Sequence, residues 1–131
     1  EFLGASVEGK DVIIIDDMIS SGESMLDVAK ELKRRKARKV FICATFGLFT
    51  GGLAKFDQYY QDGLIDRILT TNLVYQTPEL LSKPYYITCD MSKYIALIID
   101  TLNHDMSVSH LLNPADRIKR CVSNYMAQYE K

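Results

Sequence analysis

The sequence has 131 residues, enough for one domain, and its 16 lysine and arginine residues nearly balance 17 acidic ones. The resulting net charge of −1 gives no reason to expect binding to nucleic acid or to a membrane surface. We find no apolar run that approaches the ~20 residues of a bilayer span, and we expect no signal peptide. Three widely spaced cysteines, Cys43, Cys89 and Cys121, fit reduced thiols, so we expect a cytoplasmic protein.

The first predicted strand runs from about Asp11 to Ile15. Its four consecutive apolar residues, 12–15, are typical of a strand buried on both faces of a parallel sheet. Asp16 and Asp17 follow at the carboxyl end of the strand, where open α/β sheets bind ligands. Carboxylates accept hydrogen bonds from vicinal hydroxyls and attract Mg²⁺, so a ribose or its metal would account for the pair.

The turn that follows the two acids has the composition of a phosphate cradle. It offers the hydroxyls of Ser20, Ser21 and Ser24, the flexible Gly22 and backbone amides at a helix start, all suited to a dianionic phosphate. One of these serines would alternatively be a simple N-cap, which stabilises a helix by about 1 kcal/mol. Capping does not explain two adjacent carboxylates, which repel each other. The whole constellation therefore favours a sugar-phosphate site.

The rest of the chain alternates helices and strands. We predict a helix from Glu23 to about Lys36 and then, in order, a strand at 39–45, a helix at 53–64, a strand at 66–70, a turn around Pro78, a strand at 85–90, and helices at 92–103 and 114–128. Short strand–helix–strand connections specify parallel crossovers. We therefore predict an α/β fold with three layers, a mainly parallel twisted sheet with helices on both faces. The loop that ends Thr50-Gly51-Gly52 is read either as a helix cap or as a second loop facing the ligand.

Four segments carry a resemblance to a known family. Residues 12–24 resemble the ribose 5-phosphate or PRPP motif of type I phosphoribosyltransferase folds, in which two acidic and two mostly apolar residues precede Asp-Thr-Gly-Gly-Thr or a close variant. The later segments 44–52, 70–72 and 107–112 are similar, in family order, to segments of ribose-phosphate pyrophosphokinases (PRPP synthetases). The 107–112 ending distinguishes these synthetases from other phosphoribosyltransferases.

The resemblance implies a domain organisation and an activity. Residues 1–113 would form a C-terminal, phosphoribosyltransferase-like domain whose upstream strands lie outside this sequence, and 114–131 an extra helix. The implied reaction transfers the diphosphoryl group of ATP to O1 of ribose 5-phosphate, giving PRPP and AMP, in a homo-oligomeric enzyme. The family's ATP loop and catalytic basic residues lie upstream, so we expect this piece alone to bind sugar phosphate weakly and not to turn over.

The resemblance also assigns roles to residues, none of them catalytic. Asp16 and Asp17 would bind the ribose hydroxyls, directly or through Mg²⁺, and the 5-phosphate would be held by Ser20, Ser21, Gly22, Glu23 and Ser24. Two positions depart from the pattern, because Ser20 stands where many relatives carry Asp and Glu23 where they carry a small residue. We expect Glu23 to point outward along the first helical turn. Two alternatives remain open: a non-catalytic, synthetase-like regulatory subunit, and a phosphoribosyltransferase acting on a base.

Overall fold

The computed structural model describes residues 4–129, which divide into two compact units, one ending at Met91 and the other beginning at Ser92. The first unit contains β1 (Asp11–Ile19), α1 (Glu23–Arg34), β2 (Lys39–Gly47), α2 (Ala54–Gln61), β3 (Arg67–Thr71), α3 (Pro78–Leu81) and β4 (Tyr86–Cys89). The second contains α4 (Ser92–Asn103), α5 (Ser109–Leu112) and α6 (Ala115–Tyr129). No helix within 4–129 combines the length and the apolar character that crossing a bilayer requires.

The four strands form one parallel sheet in the order β1-β2-β3-β4. Because successive parallel strands are joined by crossovers of the same hand, the connecting helices share one face of the sheet. The register aligns the strand ends, with Ile19 of β1 opposite Gly47 of β2. This arrangement confirms the predicted α/β fold with a parallel sheet, and it brings the loops after β1 and β2 side by side. Within the first unit the connecting helices lie on one face, so the predicted helices on both faces are not seen there.

The core of the first unit lies on the face covered by α1. Alternate residues of the central strands, such as Ile42 and Ile68, are fully buried there against Leu26. On the other face of β1, Ile13 and Ile15 are 59% and 79% exposed. The prediction that residues 12–15 are buried on both faces is therefore wrong at β1, because no described residue covers these two side chains.

Two short helices were not predicted from the sequence pattern. The expected turn around Pro78 is the single-turn helix α3, in which Pro78 occupies the first turn and the Thr77 hydroxyl accepts a hydrogen bond from the Leu80 amide at 3.1 Å. The second is α5, which lies between α4 and α6. Four-residue helices are too short to show a periodicity, so only capping residues could have indicated them.

In the second unit the predicted helices are present. The helix α4 begins and ends at the expected residues, and α6 confirms the predicted terminal helix within one residue. The hydroxyl of Tyr94 donates to the Leu111 carbonyl at 2.7 Å, and the Arg117 guanidinium lies 4.8 Å from the centre of the Tyr94 ring. These contacts connect the three helices of the unit.

Candidate functional site

The first strand is longer than the sequence predicts, and this changes the setting of the two acids. Its last two residues pair with Phe46 and Gly47 of β2, so β1 continues through Asp16 and Asp17 to Ile19. The predicted end at residue 15 is wrong because inter-strand hydrogen bonds outweigh the low strand preference of aspartate. The carboxylates consequently lie within β1, close to its carboxyl end rather than beyond it.

Asp16 and Asp17 are both exposed. One oxygen of Asp16 accepts a hydrogen bond from the Asp17 backbone amide at 2.8 Å. Among the described residues, neither carboxylate forms an ion pair. Within 4–129 no ion pair compensates their negative charge, which sugar hydroxyls or a cation can meet.

The donor set of these acids fits Mg²⁺ in one specific way. No group of three or more histidine, cysteine, aspartate or glutamate side chains is arranged to hold a metal within 4–129. Mg²⁺ commonly takes only one or two protein carboxylates and completes its shell with substrate phosphates and water. A single acid, Asp16 or Asp17, is enough for that mode of binding, and no all-protein metal cage is formed within 4–129.

The helix α1 begins without a side-chain cap. Its N-cap residue is Gly22, with φ 81° and ψ −2°, and no side chain accepts a hydrogen bond there. The Leu26 amide makes the first bond of the helix, to the Gly22 carbonyl at 2.9 Å. In the described part of the chain, the amides of Glu23, Ser24 and Met25 have no acceptor. The alternative interpretation of a serine N-cap is thus wrong, and three amides without an acceptor lie at the positive end of the helix dipole.

Gly22 is required for two separate reasons. Its φ of +81° lies in the left-handed region, which side-chain-bearing residues rarely adopt. A Cβ atom at this position would also come within 2.1 Å of Cζ of Phe56, a fully buried ring of α2. The turn that presents the amides is therefore shaped by the core directly beneath it.

The loop after β2 is hydrogen-bonded to the loop after β1. The Leu48 amide donates to the Ile19 carbonyl at 2.8 Å, and the Thr50 amide donates to the Ser20 carbonyl at 3.0 Å. The hydroxyls of Ser20 and Thr50 lie 3.3 Å apart. Because α2 has Leu53 as its N-cap and no side-chain cap, Thr50 does not cap that helix. It stands instead beside the predicted cradle.

An aromatic cluster supports both loops from below. Phe49 has a φ of +49°, and its ring makes edge contacts with Phe56 at 5.1 Å and with Tyr86 at 6.1 Å between centroids. The Tyr86 hydroxyl is in turn 2.5 Å from the buried Thr70 hydroxyl. A left-handed conformation costs a bulky residue about 1–2 kcal/mol, which burial of the ring offsets. The sequence pattern gave no indication of this cluster because its members come from different elements.

Glu23 is exposed, as predicted, but it is not unpaired. Its carboxylate accepts a hydrogen bond from the Lys55 ammonium at the start of α2. The same contact lowers the pKa of Glu23 and raises the pKa of Lys55. Sequence reasoning missed Lys55, since the two residues are 32 positions apart and neither local pattern indicates the contact.

The other predicted positions divide between the cradle and the strand ends. Ser21 and Ser24 are exposed, and Ser21 lies next to Gly51, since a Cβ on that glycine would be 3.7 Å from the Ser21 Cβ. In segment 70–72, the side-chain amide of Asn72 donates a hydrogen bond from Nδ2 to the Asp90 carboxylate at 2.8 Å. This segment therefore ties the ends of β3 and β4 together.

Comparison with known proteins points to one group. The family model described as "Phosphoribosyl synthetase-associated domain" matches residues 2–113. The ribose-phosphate pyrophosphokinase of Vibrio parahaemolyticus is 30% identical over 107 residues, and that of Shewanella oneidensis is 32% identical over 107 residues. Both alignments cover 82% of this chain and 33% of the relative, so the chain spans about a third of the length of these curated relatives.

A solved structure shares the fold. The crystal structure of phosphoribosylpyrophosphate synthetase from Mycobacterium smegmatis superposes with a TM-score of 0.67 at 24% sequence identity. The match covers 78% of this chain and 33% of that one. The parallel sheet and its connecting helices are therefore an arrangement also found in a larger protein.

Proposed function

The chain belongs to the phosphoribosyl synthetase-associated domain family, and from that premise we propose that it is the ribose 5-phosphate-binding part of a ribose-phosphate pyrophosphokinase. Residues 1–113 would be the C-terminal, phosphoribosyltransferase-like domain of that enzyme, and 114–131 an additional helix. The whole protein would transfer a diphosphoryl group from ATP to ribose 5-phosphate, giving PRPP and AMP. We further propose that it acts in the cytoplasm as a homo-oligomer, and that this segment alone does not turn over.

The observation that carries the proposal is the uncapped start of α1. Three consecutive amides, from Glu23 to Met25, lack an acceptor in the described chain. They begin three residues after Ser20, whose hydroxyl pairs with that of Thr50. A helix start of this kind binds a phosphate through its amides and its dipole. Serine hydroxyls at Ser21 and Ser24 add donors around the same point.

The carboxylates of β1 would serve the sugar. With the 5-phosphate fixed on α1, the exposed oxygens of Asp16 and Asp17 are available to accept hydrogen bonds from ribose hydroxyls. Bound at these carboxylates, Mg²⁺ would neutralise negative charge on the reacting phosphates. The contribution of this chain is thus to hold and orient the sugar phosphate, which is how phosphoryl-transfer enzymes gain much of their rate.

One observation favours a second candidate function, a non-catalytic subunit of the same family. The side chain at position 20 is a hydroxyl that contacts Thr50, where the family pattern has a carboxylate. A site without that acid would keep phosphate binding and lose a negative group beside the sugar. Release of AMP by a full-length protein carrying this segment, given ATP, Mg²⁺ and ribose 5-phosphate, supports the synthetase; absence of AMP with retained binding supports the subunit.

Calorimetric titration of this chain tests the binding site itself. We expect ribose 5-phosphate to bind in the presence of Mg²⁺. Ribose without phosphate should bind far more weakly, because it offers no anion to accept hydrogen bonds from the amides of α1. Equal affinities for ribose and ribose 5-phosphate would overturn the proposal. Base-dependent release of pyrophosphate from PRPP by the full-length protein would instead favour a phosphoribosyltransferase.

A further inference from the structure

The proposed cradle is unusually acidic for a site that binds a phosphate. Asp16 and Asp17 precede it, Glu23 is its first helical residue, and Asp27 follows one turn later on α1. Carboxylates repel a dianion, and the repulsion is largest for the nearest one. Glu23 is that nearest carboxylate, because it belongs to the same first turn as the unbonded amides.

The structure contains a partner for this acid on a neighbouring helix. Lys55 lies at the second position of α2 and donates a hydrogen bond to one oxygen of Glu23. The same ammonium also interacts electrostatically with Asp27. These three residues line a surface cleft together with Leu26 and Tyr59. The carboxylate of Glu23 is thus directed toward α2 and neutralised there.

We propose that Lys55 is a positioning residue that makes the cradle competent for anions by holding Glu23 toward α2. Without this ammonium, the Glu23 carboxylate is free to turn back over the amides of Ser24 and Met25. An acid in the first turn interacts favourably with such amides and with the helix dipole. It would then occupy the site as an internal anion and repel the ligand at the same time. This inference rests on the phosphate site proposed above. It explains how the acidic Glu23 can stand in the first turn of a helix that binds a phosphate.

A double-mutant cycle on ribose 5-phosphate affinity, measured by calorimetry with Mg²⁺, tests the proposal. We expect Lys55→Met to weaken binding roughly three- to tenfold, since it exposes one full charge close to a dianion. In a Glu23→Gln background, the same Lys55→Met change should alter affinity by less than about twofold. Loss of the Lys55→Met effect in 1 M salt is expected as well, because exposed charges are screened.

Controls separate this mechanism from structural damage. Methionine and glutamine match lysine and glutamate in helix preference, and both side chains are exposed, so thermal unfolding should barely move. The matched variant Lys30→Met removes an exposed positive charge from α1 two turns further on and should leave affinity unchanged. An equal loss with Lys30→Met would mean a general charge effect and overturn the proposal.

The remaining outcomes discriminate between this inference and the proposed function. If the wild-type chain binds ribose 5-phosphate and Lys55→Met binds equally well, the role of Lys55 is refuted and the phosphate site stands. If Lys55→Met loses the same factor in the Glu23→Gln background, Lys55 contacts the phosphate directly and the positioning role is again refuted. If wild type fails to bind at all, the proposed function falls, and this inference with it.

Discussion

Replacing Gly22 by alanine tests how the core shapes the cradle. The substitution places a Cβ within 2.1 Å of Phe56 Cζ and leaves a non-glycine residue at φ +81°. The left-handed conformation costs about 1–2 kcal/mol, and forcing the buried ring aside costs about 1–3 kcal/mol more. We therefore expect Gly22→Ala to lower the free energy of unfolding by about 2–5 kcal/mol.

Gly63 provides a matched control for this experiment. It has a φ of +69°, and nothing lies within 4 Å of a Cβ built there. Gly63→Ala should therefore cost only the backbone term, about 1–2 kcal/mol. The difference between the two variants measures the collision with Phe56, free of the conformational penalty they share.

The assay is urea unfolding followed by far-ultraviolet circular dichroism, since the chain has no tryptophan. Relieving the collision by Phe56→Leu should make the double variant with Gly22→Ala more stable than the sum of the single effects predicts, by about 0.5–3 kcal/mol. Equal losses for Gly22→Ala and Gly63→Ala, with strict additivity at Phe56, would refute the close approach on which this reasoning depends.

Two further predictions concern charged groups. Replacing both Asp16 and Asp17 by asparagine should abolish Mg²⁺-dependent ribose 5-phosphate binding in calorimetry while changing stability by less than about 1 kcal/mol, because both side chains are exposed; a large fall in melting temperature would contradict this. Hydrogen bonds from Arg34 and Arg35 lower the pKa of Glu31 from 4.5 to about 2. Since this pKa is depressed in the folded state, the stabilisation it provides is present above about pH 4.5 and is lost between about pH 4.5 and 2. Melting temperatures of Glu31→Gln should vary less than those of wild type across that range, and parallel profiles would disprove the role of the pair.

The sequence was sufficient for the order of the four strands and of the longer helices. The apolar run 12–15 predicts a strand and the helical periodicity of residues in α1 predicts a helix, because both signals depend only on the local spacing of apolar residues. The end of β1 was missed because it depends on pairing of its last residues with Gly47, a partner that local pattern does not specify. Strand ends are set by such long-range hydrogen bonds.

The missed parts of the candidate site have the same origin. Nothing in the local sequence indicates that Lys55 reaches Glu23, or that Phe56 lies under Gly22, because both contacts join α1 or its N-cap to α2 across more than 30 residues. Thr50 was considered as a cap and as a ligand-facing residue; the cap is excluded because Leu53 is the N-cap of α2, and the Thr50 hydroxyl instead lies 3.3 Å from that of Ser20. Tertiary packing thus determines which of several plausible polar residues meet.

The central claim, that the start of α1 binds the phosphate, is tested most directly by nuclear magnetic resonance. In a titration of the ¹⁵N-labelled chain with ribose 5-phosphate and Mg²⁺, the amides of residues 22–25 should show the largest shifts, with Thr50 affected next. Ribose alone should not change the chemical shifts of the amides of residues 22–25. If ribose 5-phosphate binds saturably but changes the chemical shifts of other amides and not those of residues 22–25, the start of α1 is not the phosphate site.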